Sequence, residues 1–199
     1  MQFGKSKIQK RGKFKTYELI LSRRSIRKFQ QRKISKKILL DCVNAARLAP
    51  SSKNMQPLEY IIITKNLEEI FSCIKWAYYL EDGAPRDGEK PKAYIAILLN
   101  RSINEPKHDV GLAAENIVLT ALERNVASCI LANIDREKLR KILNVPENYS
   151  IELLIALGYG KQTAVVDKFE GDHKYWIDKE GILHVPKRSL KEILHKEKF

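Results

Sequence analysis

Residues 23–27 of the chain read Arg-Arg-Ser-Ile-Arg, and residues 49–57 read Ala-Pro-Ser-Ser-Lys-Asn-Met-Gln-Pro. The first segment combines several guanidinium groups with a hydroxyl, and the planar donors of an arginine match two phosphate oxygens at once. The second segment combines prolines with hydroxyl and amide side chains, which favours a rigid turn that can hydrogen-bond the edge of a polar ring. Together they indicate a phosphorylated heterocyclic cofactor held at both ends, although each segment alone is more often ordinary surface or loop.

Chain length and composition predict a globular protein. The 199 residues fit one domain, and a hydrophobic content of 44% is enough for a proper core. No run reaches the roughly 18 apolar residues that a membrane span requires. The N-terminal residues are positively charged without a following apolar block, unlike a secretory signal. We therefore expect a cytoplasmic protein that does not enter a membrane.

The net charge of +13, from 37 lysines and arginines against 24 acidic residues, favours anionic partners. Nucleotides, phosphorylated cofactors, nucleic acid and acidic membranes all fit this description. Part of the charge lies in residues 1–13, which we interpret as a basic, solvated tail. Residues 14–199 would then form the single domain, with residues 161–199 as its C-terminal arm. A nucleic-acid-binding protein is the distant alternative, because the charge supports it but no nucleic-acid motif accompanies the charge.

The cysteines are odd in number and far apart, at Cys42, Cys73 and Cys129, and their neighbours are apolar. They are predicted to be buried, reduced core thiols rather than disulfide partners. The four histidines show no ligand spacing with these cysteines, so no metal site is predicted.

Hydrophobic periodicity and turn residues define the expected elements. Helices are predicted at 17–22, from the Ser35 cap to Pro50, at 67–76, at 109–124, from the Asp135 cap to 143, and in a short segment after Ser189. Strands are predicted at 58–64, 93–99, 126–131 and 151–157. Residues 81–91 are predicted to form a loop and a candidate lid, and residues 161–188 an extended, polar segment.

The order of these elements indicates the fold class. Strands and helices alternate, but helices come first and the connections vary in length, which favours a mixed sheet in an α+β sandwich. A doubly wound dinucleotide fold would place a glycine-rich turn after its first strand. Residues 64–67, Thr-Lys-Asn-Leu, contain no glycine. This argues against a Rossmann domain and against a simple nicotinamide dehydrogenase.

Two further blocks complete a recognisable pattern. Residues 109–117 read Asp-Val-Gly-Leu-Ala-Ala-Glu-Asn-Ile and lead to Ala-Ser-Cys-Ile at 127–130, and residues 186–190 read Pro-Lys-Arg-Ser-Leu. With all these blocks in this order, the chain resembles the nitroreductase family of FMN-dependent oxidoreductases over roughly residues 14–194. The resemblance implies an α+β sandwich with a mixed, mainly antiparallel sheet flanked by helices. It also implies an interlocked homodimer with FMN sites at its interface.

The resemblance further implies which residues hold FMN. The phosphate and ribitol would contact residues from both ends of the chain, namely Arg23, Arg24, Ser25, Arg27, Lys187 and Arg188. The isoalloxazine ring would meet the turn, commonly that of the other subunit, through Pro50, Ser51, Ser52, Asn54 and Gln56. The backbone N–H groups of Ala132 and Asn133 would face the N5 and O4 edge of the ring. The turn after the last core strand matches Gly158, Tyr159 and Gly160.

Several other side chains have a structural interpretation as well as a functional one. Asp109 is interpreted as a helix cap rather than a catalytic acid. Three aromatic residues precede the predicted loop, namely Trp76, Tyr78 and Tyr79. They would line a substrate slot or belong to the core. Tyr175 and Trp176 are interpreted as residues that pack against a partner subunit.

The predicted activity follows from the cofactor. The chain shows no Ser/His/Asp set, paired acids or Cys-x-x-Cys motif, and a flavin performs the redox step itself, so no catalytic side chain is predicted. We expect a hydride to pass from NAD(P)H to N5 of FMN, and electrons to pass on to a nitroaromatic, quinone or flavin acceptor by ping-pong kinetics. The alternative is a specialised flavoenzyme of the same fold, acting in reductive dehalogenation, flavin fragmentation or azoline oxidation.

Overall fold

The computed structural model of the chain describes residues 16–80, 83–103 and 107–199. The predicted basic tail, residues 1–13, lies outside the described residues, as do positions 81 and 82 of the predicted loop. The remainder of that loop, residues 83–91, is irregular, as predicted. Within the described part of the chain, no helix combines the length and the apolar character needed to cross a membrane.

The described residues contain helices at each predicted place, and their bounds are α1 (Thr16–Ser22), α2 (Lys36–Ala46), α3 (Leu67–Phe71), α4 (His108–Glu123), α5 (Arg136–Leu143) and α6 (Leu190–Ile193). Both predicted caps are present. The Ser35 hydroxyl accepts from the Ile38 amide, and the Asp135 carboxylate accepts from the Lys138 amide. These side chains satisfy amides that the first turn of a helix leaves without an intrahelical partner.

The prediction for α3 is wrong at its C-terminal end, because the helix stops at Phe71 rather than at residue 76. Ile74 forms a β-bridge with Ile134, and the Lys75 amide donates to the Asn133 carbonyl at 3.0 Å. This pairing with a distant part of the chain replaces the hydrogen bonds of a further helical turn. Helical periodicity within the segment cannot reveal such a competitor.

The central sheet has the strand order β1-β2-β4-β3 and is antiparallel throughout. Its strands are β1 (Leu58–Ile63), β2 (Ala93–Asn100), β3 (Ala127–Leu131) and β4 (Tyr149–Gly158). Residues 93–99 are all buried, which explains their continuous apolar run, since a strand covered on both faces needs no polar alternation. Helices α2 and α4 pack on one face of the sheet, and α3 and α5 on the other. This confirms the predicted α+β sandwich with a mainly antiparallel sheet.

The C-terminal arm forms a second sheet where the sequence predicts only an extended, polar segment. Its strands are β5 (Ala164–Lys168), β6 (Trp176–Ile177) and β7 (Leu183–Lys187), in the order β5-β7-β6. Strand β7 is parallel to β5 and antiparallel to β6. Pro186 lies in β7, although a proline normally argues against a central strand. We call this unit the C-terminal sheet.

Residues 23–27, which we call the arginine segment, are anchored to the edge of the central sheet. Ser25 forms a parallel bridge with Ser128 of β3. A few residues later, Phe29 is fully buried. Gly158 at the end of β4 permits this close packing, because a Cβ at that position would lie 2.6 Å from Cδ1 of Phe29. The core packing of Phe29 therefore holds the arginine segment against β3.

Cys42, Cys73 and Cys129 are free and buried, as predicted. Burial raises the pKa of all three thiols, and it raises the pKa of Cys42 to about 11. Among the described residues, no group of histidine, cysteine and acidic side chains is arranged to hold a metal ion.

Candidate functional site

The structure brings basic residues from the two ends of the chain together around one cleft. This arginine cleft has a volume of about 460 Å³. Helix α1 and the arginine segment form one wall, and the C-terminal sheet forms the other. The polar lining residues are Arg23, Arg24, Ser25, Arg27, Tyr175 and Lys187. All but Tyr175 belong to the set predicted to contact a phosphate and its sugar chain.

Backbone and side-chain contacts hold the first wall in place. The Ile26 amide donates to the Ser128 carbonyl at 2.9 Å, and the Arg27 amide donates to Oε1 of Gln162 at 3.1 Å. The guanidinium of Arg27 lies 4.8 Å from the centre of the Tyr175 ring, which is a cation–π distance. Tyr175 thus joins the two walls, and the structure places it in the cleft rather than only on a packing surface.

The arginine cleft carries more positive charge than the carboxylates around it neutralise. Nε of Arg23 lies 3.5 Å from Oε1 of Glu115, which is the one ion pair that the described residues form with these basic groups. Nε of Arg24 is buried and has no hydrogen-bond partner in the described part of the chain. Burial lowers the pKa of Arg24, and the charge of Arg23 lowers it further. Such a group of donors suits an anion with several oxygens, such as a phosphate monoester.

Lys187 and Arg188, the predicted basic pair, occupy different environments in the structure. Lys187 lines the arginine cleft. Arg188 is exposed, and its Nη2 donates to the Glu192 carbonyl of α6 at 2.8 Å. Within one chain, the pair therefore contributes one residue to the cleft.

The turn that was predicted to meet a polar ring lies beside a smaller cavity of about 180 Å³, which we call the turn pocket. Pro50, Ser51 and Gln56 line this pocket. The hydroxyl of Ser51 accepts from the Gln56 amide at 2.8 Å, which closes the turn on itself. Lys53, Asn54 and Gln56 have φ angles of 45°, 57° and 49°. Non-glycine residues adopt this left-handed conformation only when surrounding contacts impose it.

Asp109 supplies one of those contacts, and the interpretation as a helix cap is wrong. Helix α4 begins at His108, so Asp109 lies inside its first turn. Its side chain is 3% exposed, and Oδ1 accepts from the Ser52 amide at 3.2 Å. Oδ2 is buried without a partner among the described residues. Burial, with the Asp109 charge as a second cause, raises the pKa of Tyr60 to about 12, and both residues line the turn pocket.

The remaining turn residues are Ser52 and Asn54. Ser52 is tied to Asp109 through its amide, and Asn54 is exposed. The arginine cleft and the turn pocket have no lining residue in common. A single chain therefore presents its candidate phosphate groups and its candidate ring groups to separate spaces.

The predicted backbone donors, Ala132 and Asn133, follow β3 directly and are exposed. Their carbonyls accept from Nη2 of Arg136 at 3.2 Å and from the Lys75 amide at 3.0 Å. The bridge between Ser25 and Ser128 fixes their distance from the arginine segment. Ala132 comes four positions after Ser128, which corresponds to about 13 Å at a strand rise of about 3.3 Å per residue. Strand β3 thus sets the separation between the arginine segment and the predicted backbone donors.

The three residues of the predicted turn after the last core strand, Gly158, Tyr159 and Gly160, also have different surroundings. Gly158 faces Phe29 in the core. The ring of Tyr159 lies 4.2 Å from the guanidinium carbon of Arg32, outside the arginine cleft. Gly160 lines a neighbouring cavity of about 270 Å³ together with Arg23 and Arg24. Of the three, Gly160 is the residue that shares a cavity with the arginine segment.

The aromatic residues before the loop take different places. Trp76 packs against the core, and Tyr78 is 83% exposed. Tyr79 reaches the C-terminal sheet, where its ring centre lies 5.2 Å from that of Tyr175 and its hydroxyl lies 3.0 Å from Nε2 of His173. Tyr79 therefore supports the tyrosine that lines the arginine cleft.

A known protein family matches most of the chain, including most of the residues described above. A model of the nitroreductase family matches residues 20–159, which include the arginine segment, the turn and the central sheet. The C-terminal sheet lies beyond the matched residues. A protein of Archaeoglobus fulgidus with the provisional name NADH dehydrogenase/NAD(P)H nitroreductase is 29% identical to the chain over 167 residues. That match covers 79% of this chain and 91% of the relative.

Solved structures share the fold. An FMN-dependent nitroreductase of Clostridium difficile R20291 matches with a TM-score of 0.66 and 25% identity, covering 91% of this chain and 98% of that one. A crystal structure from Parabacteroides distasonis ATCC 8503, provisionally named NADH dehydrogenase/NAD(P)H nitroreductase, matches with a TM-score of 0.70 and 22% identity. It covers 94% of this chain and 100% of that one.

Proposed function

This chain belongs to the nitroreductase family, and we propose that it is an FMN-dependent oxidoreductase that transfers electrons from NAD(P)H to a small organic acceptor. The observation that carries the proposal is the arginine cleft, where three arginines and Lys187 surround one space of about 460 Å³. Volumes of about 300–1,000 Å³ are typical of sites for small ligands and cofactors. The names of the Archaeoglobus and Clostridium relatives, which refer to NAD(P)H and to FMN, support the same reductant and cofactor.

The residues of the arginine cleft fit the phosphate end of FMN. A phosphate monoester carries close to two negative charges at neutral pH, and among the described residues one carboxylate, that of Glu115, pairs with the basic groups of the cleft. Arg23, Arg27 and Lys187 would hold the phosphate, and the buried Nε of Arg24 would gain an acceptor. Bound FMN supplies two-electron redox chemistry, while the side chains of the protein bind it, orient it and exclude water.

A homodimer is part of the proposal, because one chain presents its two sets of candidate flavin groups to separate cavities. The turn of one subunit would complete the site of the other. Large apolar side chains remain exposed on several helices of the described chain. They include Tyr17 on α1 (69% exposed), Leu40 on α2 (50%) and Leu112 on α4 (45%). Exposed apolar groups of this kind mark contact surfaces when they form a patch, and a partner subunit would cover them.

The proposed acceptors are nitroaromatics, quinones and free flavins. A flat acceptor needs an open slot beside the flavin rather than a catalytic side chain. The nicotinamide would occupy the same slot and leave before the acceptor enters. Parallel lines in double-reciprocal plots, obtained by varying NADH or NADPH at several acceptor concentrations, are the expected kinetic result.

The visible absorption spectrum of the purified full chain, incubated with FMN and desalted, tests the cofactor assignment. The expected result is a retained flavin spectrum that NADH or NADPH bleaches without oxygen and that an added quinone or nitroaromatic restores. A colourless protein that does not take up FMN overturns the proposal. A protein that retains FMN but is reduced by neither nicotinamide overturns the assignment of the reductant.

A further inference from the structure

An acid–base cluster lies on the C-terminal sheet, outside the arginine cleft. Nδ1 of His184 lies 2.5 Å from a carboxylate oxygen of Asp167, and Nε2 lies 3.0 Å from one of Asp178. The Trp176 ring stacks on the imidazole with 5.1 Å between the ring centres and 8° between the planes. A carboxylate oxygen only accepts hydrogen bonds, so each ring nitrogen must donate. This arrangement is therefore that of an imidazolium held between two carboxylates.

The register of the strands places this cluster directly behind the wall of the arginine cleft. Val166 pairs with Val185, and both line the cleft. Their chain neighbours Asp167 and His184 point to the opposite face, because side chains alternate along a strand. Tyr175 likewise lines the cleft, while the next residue, Trp176, pairs with His184. Val166, Tyr175 and Val185 thus each adjoin a member of the cluster, and Lys187 follows two residues after Val185 on the same strand.

Apart from the backbone pairing of its strands, the C-terminal sheet has little apolar packing of its own. In β5, β6 and β7, Leu183 is the one buried residue. A unit with so little buried apolar surface opens more easily than a core strand. The single imidazole contacts a carboxylate on β5, a carboxylate in the turn after β6, and the indole of β6. It therefore ties all three strands together.

We propose that His184 is a positioning residue for the arginine cleft: its imidazolium, shared by Asp167 and Asp178, holds the wall that carries Tyr175 and Lys187, and removal of its proton loosens that wall and weakens the grip on the cofactor. This inference rests on the proposed function, because it names FMN as the molecule that the cleft holds.

The direction of the pH effect follows from the groups around the ring. Asp167 and Asp178 are the charged groups that face His184, and the indole of Trp176 covers one side. The hydrogen bonds to Asp178 and Asp167 raise the pKa of His184 above its ordinary value of about 6.5. The hydrogen bond from His184 in turn lowers the pKa of Asp178, so this carboxylate is ionised over the whole range in which His184 titrates.

The titration of His184 and the titration of the FMN phosphate change the affinity for FMN in opposite directions as the pH rises. A group whose pKa is raised by folding stabilises the fold fully below its unfolded pKa, and this stabilisation is lost as the pH rises through its folded pKa. FMN affinity should therefore fall on the alkaline side. The second ionisation of a phosphate monoester, near about pH 6, would instead strengthen binding as the pH rises.

The test compares FMN dissociation constants, measured by quenching of flavin fluorescence from about pH 6 to about pH 9, in four full-length proteins. Wild type is expected to lose affinity as His184 deprotonates. His184→Gln, neutral throughout, is expected to bind about twofold to fivefold more weakly at about pH 6 and to show no such decline. His184→Lys keeps a cation over this range and should bind without the alkaline decline. His195→Gln, which changes a histidine on the exposed C-terminal end, is the matched control and should follow wild type.

Hydrogen exchange of residues 164–187 in the FMN-free protein gives an independent readout. At about pH 6 the wild type should be better protected than His184→Gln, and the difference should vanish at about pH 9. A His184→Gln protein with the wild-type pH profile of FMN affinity overturns the positioning role. Equal protection of both proteins at the lower pH also overturns it. Failure of every protein to bind FMN contradicts the proposed function, while the exchange experiment still decides whether His184 holds the sheet.

Discussion

The phenyl ring of Phe29, which is fully buried, lies so close to Gly158 that a Cβ on the glycine would be 2.6 Å from Cδ1 of the ring. This contact joins the chain that follows the arginine segment to the end of β4. The position of a candidate phosphate site thus depends on the absence of a side chain in the core.

Gly158→Ala should destabilise the protein, because the new methyl group must displace a ring that has no free space. Overpacking of this kind costs about 1–3 kcal/mol. The free energy of unfolding from urea denaturation measures the loss. Gly111→Ala is the control, since a Cβ at that helical position meets nothing within 4 Å and should be neutral or stabilising. A Gly158→Ala protein as stable as Gly111→Ala would contradict the packing argument.

Arg27→Ala should weaken FMN binding, because it removes a cleft guanidinium that also lies over Tyr175. A hydrogen bond to a charged group is worth about 1.5–3 kcal/mol, so the dissociation constant should rise by about tenfold to a hundredfold. Fluorescence titration with FMN is the measurement. Arg32→Ala serves as the control, because Arg32 lies over Tyr159 and does not line the cleft. Equal affinities for the two variants would remove Arg27 from the phosphate site.

Asp109→Ala should be less stable than Asp109→Asn. The alanine leaves the Ser52 amide without the acceptor that holds the turn to α4, which costs about 1–3 kcal/mol. The asparagine keeps an acceptor and removes a buried carboxylate oxygen that has no partner among the described residues. Thermal unfolding of both variants measures the difference. Identical melting temperatures would show that the contact with Ser52 does not matter for stability.

The thiols should resist modification at about pH 8. All three cysteines are buried, and burial raises the pKa of each, that of Cys42 to about 11. Because the thiolate is the reactive form, little of it is present well below that pKa. Labelling with a chromogenic disulfide reagent should be slow in the folded protein and complete in guanidinium chloride. Rapid, stoichiometric labelling of the folded protein would mean that at least one thiol is accessible.

The parts of the fold with local causes could be predicted from the sequence. Residues 93–99 are apolar without interruption, and this composition alone indicates a strand buried on both faces. Ser35 and Asp135 mark helix starts because a cap and its amides lie within a few residues of each other. The end of α3 was missed because its competitor, the pairing of Ile74 with Ile134, joins residues far apart in the chain.

The same distinction applies to the candidate site. Arg23, Arg24, Ser25 and Arg27 were identified from residue type and order, and they do line one cleft. Tyr175 and the role of Asp109 were missed, because an isolated tyrosine or aspartate carries no signal of what it contacts. The position of Arg188 outside the cleft was missed as well. Arg188 comes directly after the end of β7, and the strand that carries Lys187 into the cleft was not predicted.

By itself the sequence determined the layered α+β core and the basic, hydroxyl-bearing segment that suits a phosphate. Apolar periodicity and residue chemistry are properties of short stretches, and they remain the same wherever those stretches lie. Only the tertiary structure decided that Lys187 and Tyr175 complete the cleft and that His184 stands behind its wall. Those positions depend on the parallel pairing of β5 with β7, which joins residues distant in sequence and contains a proline that local rules exclude from such a strand. Non-local pairing is stabilised by contacts that exist only after the chain has folded.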